Sequence, residues 1–203
     1  MPKAYEGDDP AAVNAVYCFV LRRRRALPPV RRVAEMTRTT LSSEVVASLM
    51  GAAERLNSLT ESPDDAMIRA EMQRRKSKIA QSHKDAFIEQ LVHKGFSFTR
   101  ENEQREDSSS LGLIRQGTPD VRFPKAVTVH RESCGWIEFK DYFGFPKNPF
   151  IAQKEKRQLM KYVEAFGPGI VVYSCGFQQG YPKIVGVTVC RAAEFLECLT
   201  PIN

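Results

Sequence analysis

The stretch "GTPDVRFPKAVTVHRESCGWIEFK", residues 117–140, determines the predicted fold, because its pattern is that of a β-hairpin with charged side chains near the strand ends. Two segments with strand periodicity, 120–129 and 135–142, flank the polar turn "HRES". Pro124 cannot donate a backbone hydrogen bond, so it indicates a bulge or an edge position in the first strand. The stretch therefore predicts two antiparallel strands with an irregular register near Pro124.

Glu138 and Lys140 are two positions apart on the second strand, so both side chains point to one face of the sheet. Ile137 and Phe139 then point to the other face, toward a core. Asp120 begins the partner strand, and folding the hairpin brings its carboxylate toward Glu138. A solvated strand edge and the active site of a metal-dependent phosphodiesterase both fit this pattern, and the hairpin alone leaves both interpretations open.

Under the second interpretation, the hairpin forms a metal site. Two carboxylates that converge at the end of a sheet repel each other unless a cation lies between them. Mg²⁺ (or Mn²⁺) suits such a site, because it accepts a few carboxylate oxygens and retains several waters. We therefore expect Asp120 and Glu138 to bind the metal, with the backbone carbonyl of Phe139 as a further ligand. Lys140 is expected to orient the attacking water or to stabilise negative charge on a scissile phosphate.

The segments after the hairpin predict a mixed α/β fold. Residues 151–166 have helical periodicity, and the helix is expected to end at "GPG", residues 167–169. Two apolar runs follow, and residues 192–199 form a closing helix. Gln158 and Tyr162 lie four residues apart on one face of the first helix. Tyr162 is predicted to belong to the core, whereas Gln158 either lies near the site or is exposed to solvent.

The N-terminal part, residues 1–80, is predicted to be helical, and residues 81–203 to form the α/β domain that contains the hairpin. Two short helices around 30–36 and 45–56 are separated by the polar segment "TRTT", which fits either a helix-turn-helix or a plain helical hairpin. Two further helices are expected to follow, with a restart at Ser82 and a stop at Gly95. The charged, serine-rich residues 100–112 indicate an irregular loop.

Composition and charge limit the partners and the cellular compartments that we expect for the chain. Its 203 residues have a formal net charge of +6, which permits a nucleic-acid partner without requiring one. The apolar run of residues 11–21 is shorter than the roughly 20 residues that a membrane span needs, so no membrane association is expected. Five scattered cysteines suggest reduced thiols. We therefore expect a nuclear or cytoplasmic protein, or one present in both compartments.

Four segments in order, "GTPD" (117–120), "GWIEFKDYFG" (135–144), Gln158 with Tyr162, and "FGPGIVVYSCGF" (166–177), resemble the TPD-motif family. The resemblance implies a PD-(D/E)xK nuclease domain, similar to restriction endonucleases, behind N-terminal segments that resemble a helix-turn-helix. It also implies a divalent metal and, in animal members, binding to codanin. Matched by position, the catalytic set is Asp120, Glu138, Lys140 and Gln158.

The resemblance further implies an acidic residue on the first helix of the catalytic domain. Lys84 occupies that position here, so Asp85 or Glu89 is the candidate to replace it. Two functions follow from these features. One is a metal-dependent nuclease that acts on nucleic acid, with DNA favoured over RNA, together with a codanin-like partner. The other is an inactive or weakly active adaptor that retains the nuclease fold and binds nucleic acid, a protein partner or both.

Overall fold

The computed structural model describes residues 5–23, 27–57, 65–110, 117–129, 132–148 and 151–198. Within these ranges, a five-stranded mixed sheet is covered by helices on both faces. The predicted α/β class with a mixed sheet is thereby confirmed.

Along the described ranges of the chain, four helices come first, and the strands are interspersed with the three remaining helices. The helices are α1 (Pro10–Leu21), α2 (Val30–Thr37), α3 (Ser43–Asn57), α4 (Asp65–His93), α5 (Glu101–Ser110), α6 (Ala152–Phe166) and α7 (Ala192–Cys198). The strands are β1 (Thr99–Arg100), β2 (Val121–Val129), β3 (Glu132–Lys140), β4 (Gly169–Tyr173) and β5 (Val187–Arg191).

The strands lie in the order β1-β2-β3-β4-β5. β2 pairs antiparallel with β1 and β3, whereas β4 pairs parallel with β3 and β5. The helix α6 provides the crossover that the parallel β3–β4 pair needs. The β2–β3 register shifts between Arg122 and Val127, because Pro124 lies in this segment and cannot donate to the ladder. The predicted irregularity at Pro124 is confirmed.

The two faces of the sheet pack against different helices. One core contains residues of α4, including Phe87 and Leu91, together with Ile137 and Phe139 of β3 and Phe195 of α7. On the other face, Trp136 packs with Leu159 and Tyr162 of α6. The alternation of β3 therefore places Glu138 and Lys140 on the α6 side, opposite Ile137 and Phe139.

The helix α4 is longer than predicted. A restart was expected at Ser82, but α4 continues without a break from Asp65 to His93 and passes residue 80, the predicted domain boundary. Gln81 and Asp85 are hydrogen-bonded at 2.8 Å along the helix, so Asp85 does not act as a cap. The expected stop at Gly95 is confirmed, since this residue has a φ of 82°. Ser62 and Pro63, whose residue types fit the start of the first of the two predicted helices, lie outside the described residues.

The prediction of an irregular segment at 100–112 was wrong for α5. This helix has no apolar stripe, and polar contacts stabilise it instead. Gln104 is buried, and its amide donates to the carbonyls of Thr99 and Pro119, at 3.1 and 3.0 Å. Glu103 accepts the Arg100 backbone N–H at the start of the helix, at 2.7 Å. Because these partners come from outside α5, apolar periodicity did not reveal the helix.

The N-terminal helices form a small core of their own. Residues of α1, α2 and α3 pack together with Phe143 and Phe145, which directly follow β3. The Ser48 hydroxyl accepts the backbone N–H of Phe143 at 3.0 Å. The two predicted helices around "TRTT" are confirmed, and Arg38 between them has a left-handed φ of 48°. No helix in the described part of the chain has both the length and the apolar character needed to cross a membrane.

Gly169 at the start of β4 is expected to tolerate no side chain. An ideal Cβ at this position would lie 2.1 Å from the indole ring of Trp136. That ring cannot move freely, because Trp136 Nε1 donates to the carbonyl of Gly167 at 2.8 Å. We expect Gly169→Ala to lower the free energy of unfolding by about 1–3 kcal/mol, measured by urea denaturation.

The matched control is Gly51→Ala in α3, where no described atom lies within 4 Å of an added Cβ. Because glycine is a poor helix former, this variant should be neutral or stabilised by up to about 1 kcal/mol. An equal response of the two variants would contradict the packing argument.

Candidate active site

Three side chains on the α6 side of the sheet form a hydrogen-bonded cluster. Lys140 Nζ donates to Glu138 Oε1 at 2.7 Å and to Gln158 Oε1 at 3.0 Å. Gln158 Nε2 donates to Glu138 Oε1 at 3.1 Å. The strand β3 supplies Glu138 and Lys140 from one face, and α6 supplies Gln158. Gln158 is therefore part of the cluster and not a solvated helix residue.

Asp120 joins this cluster from the start of β2. Val121 pairs with Ile137, so Asp120 lies beside Glu138 on the neighbouring strand. The backbone N–H of Asp120 donates to Glu138 Oε2 at 3.3 Å, and Asp120 Oδ2 accepts the N–H of Phe139 at 2.9 Å. The structure thus brings the four predicted residues together, although their catalytic roles stay a prediction.

A second lysine, which the pattern of the hairpin did not reveal, contacts Asp120 from α4. Lys84 Nζ lies 3.0 Å from Asp120 Oδ1 and 3.2 Å from Glu101 Oε2. The two alternative helix acids lie elsewhere, since Asp85 bonds to Gln81 and Glu89 pairs with Arg100. The helix therefore places a cation, and not a carboxylate, next to Asp120.

Sequence reasoning also missed Glu101, the first residue of α5. It was assigned to an irregular segment, and only the tertiary fold brings it to Lys84. The position of Lys84 had a signal in the sequence, because the family resemblance placed an acid there. Glu101 had no comparable signal.

The hydroxyl of Tyr162 contacts the cluster through Gln158. Tyr162 is buried, as predicted, and its hydroxyl donates to the carbonyl of Thr118 at 2.8 Å. The same hydroxyl accepts a hydrogen bond from Gln158 Nε2, also at 2.8 Å. One side chain therefore connects α6 to the "GTPD" segment and orients Gln158.

Burial acts strongly on the ionisation of this site. Glu138 is 6% exposed and Asp120 is 7% exposed. Burial raises the pKa of Glu138 above its ordinary value, the Lys140 ammonium opposes this shift, and Asp120 adds to it. When the pKa of an acid is higher in the folded than in the unfolded state, the free energy of unfolding falls as the pH rises above the unfolded-state pKa. Ionised Glu138 thus lowers stability at neutral pH, which is typical of a group kept for function.

The carboxylates of Asp120 and Glu138 line a solvent-accessible pocket on the α4 side. Its lining comprises Ser77, Ala80, Gln81, Lys84, Glu101, Asp120, Glu138, Phe139 and Asp141. Asp141 is hydrogen-bonded to His83 Nδ1 at 2.9 Å. Lys140 and Gln158 lie behind Glu138, outside this lining. A ligand in the pocket would therefore meet Asp120, Glu138 and Lys84 directly.

The carboxylate oxygens of Asp120 and Glu138 suit a hard divalent ion, although they would occupy only part of its coordination shell. Among the described residues, no three His, Cys, Asp or Glu side chains are grouped for metal binding. Mg²⁺ does not need such a group, because one or two carboxylates and several waters are enough. Asp120 and Glu138 provide oxygen donors on one pocket. Glu138 Oε1 already accepts two hydrogen bonds, whereas the other three carboxylate oxygens accept one each and keep a lone pair. The two residues can therefore hold Mg²⁺ or Mn²⁺ if Lys84 leaves Asp120 Oδ1.

A family model described as a protein of unknown function with the TPD sequence motif matches residues 54–190. The chain belongs to this family. The match contains all four residues of the proposed catalytic set and also Lys84 and Glu101. The segment "GTPD" ends with Asp120, the residue that links the start of β2 to Glu138.

One curated relative of this TPD-motif chain is "CDAN1-interacting nuclease 1" of Danio rerio. The two sequences are 30% identical over 104 residues, which is 50% of this chain and 31% of the relative. The chain thus matches less than one third of that protein, and its name applies to the relative as a whole. No solved structure matches the chain significantly.

Replacing Tyr162 with phenylalanine should loosen Gln158 without emptying the core. The variant loses the two hydrogen bonds of the hydroxyl and leaves the Thr118 carbonyl without this donor. We expect the free energy of unfolding to fall by about 1–2 kcal/mol, measured by denaturant titration.

Tyr17→Phe is the matched control for this measurement. The Tyr17 hydroxyl is also buried but has no hydrogen-bond partner among the described residues. Its removal should leave stability unchanged or slightly higher. If both variants lower the free energy of unfolding equally, the hydrogen bonds of Tyr162 to Thr118 and Gln158 contribute nothing to it.

Proposed function

We propose that the chain is a metal-dependent nuclease that hydrolyses phosphodiester bonds of nucleic acid, with DNA favoured over RNA. The main support is the convergence of Asp120, Glu138, Lys140 and Gln158 in one hydrogen-bonded cluster whose two buried carboxylates line a pocket. Similarity to a curated protein named as a nuclease supports the same class.

The arrangement also supports a fold of the PD-(D/E)xK type. In that architecture one hairpin supplies a carboxylate, a second acid and a lysine, and a following helix supplies a glutamine. Here β2 and β3 supply Asp120, Glu138 and Lys140, and α6 supplies Gln158. The sheet also continues in parallel through β4 and β5 after the antiparallel hairpin.

In this proposal Asp120 and Glu138 hold Mg²⁺ or Mn²⁺. Such an ion would lower the pKa of a bound water and neutralise charge on the phosphodiester. Burial raises the pKa of Glu138, and the Lys140 ammonium acts against this shift and so favours the ionised form. Gln158 fixes Lys140 and Glu138 relative to each other, because its amide bonds to both side chains. The protein thus contributes an electrostatic site that is organised before substrate arrives.

Exposed basic residues on α4 offer a path for the substrate backbone. Arg74, Arg75, Lys76 and Lys78 are exposed, and Ser77 between them lines the pocket of the site. Positive side chains along one helix bind phosphates independently of base sequence. The pocket therefore adjoins a basic surface of α4, to which we assign the binding of a nucleic-acid strand.

A second candidate function is an adaptor with little or no catalytic activity. It is favoured by a specific observation: each oxygen of Asp120 and Glu138 already accepts a hydrogen bond from the protein. A site that is satisfied internally needs no metal. The adaptor would use the same basic surface, or a protein partner, without turnover.

The proposal extends to the N-terminal helices and to a partner. α2 and α3, joined by a tight turn at Arg38, support a module that resembles a helix-turn-helix. A codanin-like partner agrees with the name of the Danio rerio relative, which includes interaction with CDAN1. Both features fit a protein that works in the nucleus, in the cytoplasm or in both.

A panel of labelled substrates tests this function. Single-stranded, double-stranded, branched and flapped DNA, together with matching RNA, is incubated with the protein and Mn²⁺ or with a chelator. A nuclease cleaves at least one substrate only when the metal is present. Equal binding with metal and with chelator, without products in either case, would establish the adaptor instead.

A further inference from the structure

We infer that the Lys84 ammonium is a built-in counter-ion of the pocket, and that a divalent ion binds Asp120 only by displacing it. The inference rests on the metal site of the proposed function. It assigns to Lys84 the control of metal affinity.

The first observation is the position of the ammonium. Lys84 Nζ lies between Asp120 Oδ1 and Glu101 Oε2, at 3.0 and 3.2 Å. A cation placed between two carboxylates is the arrangement that a bound metal ion would otherwise provide. The ammonium and a metal ion therefore compete for the same oxygen of Asp120.

The second observation is the shielding of this contact from water. The side chains of Lys84 and Asp120 are 20% and 9% exposed, and that of Glu101 is 26% exposed. Ion pairs at the open surface contribute little, but this contact is partly desolvated, so its charges interact more strongly.

The third observation is the charge of the pocket. Its described lining contains four carboxylates, Glu101, Asp120, Glu138 and Asp141, but a single lysine, Lys84. Removing the charge of Lys84 makes the lining more negative by one unit and exposes Asp120 Oδ1. A divalent cation should then bind more tightly.

Displacement from Asp120 would also free the Lys84 ammonium to contact the substrate. Its side chain is flexible, and the ammonium already faces the pocket. If a metal ion bound Asp120 Oδ1, the Lys84 ammonium would still line the same pocket, where an ion pair with a phosphate oxygen would compensate for the lost contact. Metal and phosphodiester are thus expected to support each other's binding.

Calorimetric titration of the full chain with Mn²⁺ tests the inference. Lys84→Met removes the charge and keeps the length of the side chain. We expect it to bind Mn²⁺ at least about tenfold more tightly than the unmodified chain, in line with the effect of one nearby charge. Mn²⁺ should also raise the melting temperature of Lys84→Met more than that of the unmodified chain.

Two controls accompany this variant. Lys84→Arg retains the charge, and Lys78→Met removes an exposed lysine from the same helix. Both should keep the affinity of the unmodified chain within about twofold. If Lys84→Met does not fold, as judged by circular dichroism, Lys84→Gln provides the same loss of charge with a polar side chain.

The outcomes separate this inference from the nuclease proposal. If the unmodified chain binds Mn²⁺ and cleaves, but loss of the Lys84 charge leaves its affinity equal or weaker, the inference is overturned and the nuclease stands. If only the uncharged Lys84 variant takes up Mn²⁺, the inference holds and the unmodified chain is not a metal-dependent nuclease. If no variant binds Mn²⁺, both are overturned.

Discussion

Asp120→Asn is expected to abolish measurable Mn²⁺ uptake and to reduce cleavage by about 10³-fold, since a metal ion supplies several kcal/mol of stabilisation. The amide has nearly the same shape as the carboxylate, and its oxygen can still accept the N–H of Phe139. Loss of the negative charge, and not a change in packing, is therefore the main effect. Calorimetry measures the uptake, and a labelled substrate measures the cleavage.

Asp85→Asn is the matched control for this variant. Asp85 is an exposed acid on α4, close in sequence to Lys84, and it bonds to Gln81 instead of to the cluster. Its replacement should leave both measurements unchanged. If Asp85→Asn lowers Mn²⁺ uptake as strongly as Asp120→Asn, the metal site has been placed on the wrong residues.

Local sequence patterns could predict most of the sheet and its flanking helices. The alternation in β3 places Ile137 and Phe139 in one core and Glu138 on the opposite face, because strand geometry allows no other arrangement. Gly167 and Gly95 end α6 and α4 with positive φ angles, which glycine adopts without strain. Such features depend on neighbouring residues in the chain, so a single sequence is enough to reveal them.

Features that depend on tertiary contacts could not be predicted in the same way. α5 owes its helix to Gln104, whose partners are carbonyls on either side of the helix in sequence, and no periodicity records this. Ser82 had the pattern of a helix start, yet the continuous packing of Phe87 and Leu91 favours one helix. Propensity at a single position is a weak signal compared with the burial of a whole helix face.

In the candidate site, too, some residues follow from local sequence patterns and others only from tertiary contacts. The hairpin pattern was enough to suggest that Asp120, Glu138 and Lys140 lie together, because all three belong to adjacent strands. Lys84 and Glu101 belong to two different helices, and they meet Asp120 only after the sheet and both helices have formed. The pairing of Asp120 with Lys84 is thus a property of the tertiary fold, whereas the pairing of Glu138 with Lys140 lies within one strand.

Lys140→Met is expected to lower kcat by about 10²–10³-fold while the KM for nucleic acid changes little. Methionine fills a similar volume, but it removes the charge that faces Glu138 Oε1 and the hydrogen bond to Gln158. Charge placed for the transition state affects kcat, whereas a contact made equally in the ground state affects KM. Single-turnover cleavage and equilibrium binding to the same labelled substrate separate the two.

Lys140→Arg and Lys161→Met complete this experiment. The guanidinium of arginine is a planar fork and does not fit the site of a compact ammonium between Glu138 and Gln158, so Lys140→Arg should not restore the rate. Lys161 is an exposed lysine of α6, and its replacement should leave kcat unchanged. Full activity of Lys140→Met would show that the ammonium only balances the buried charge of Glu138.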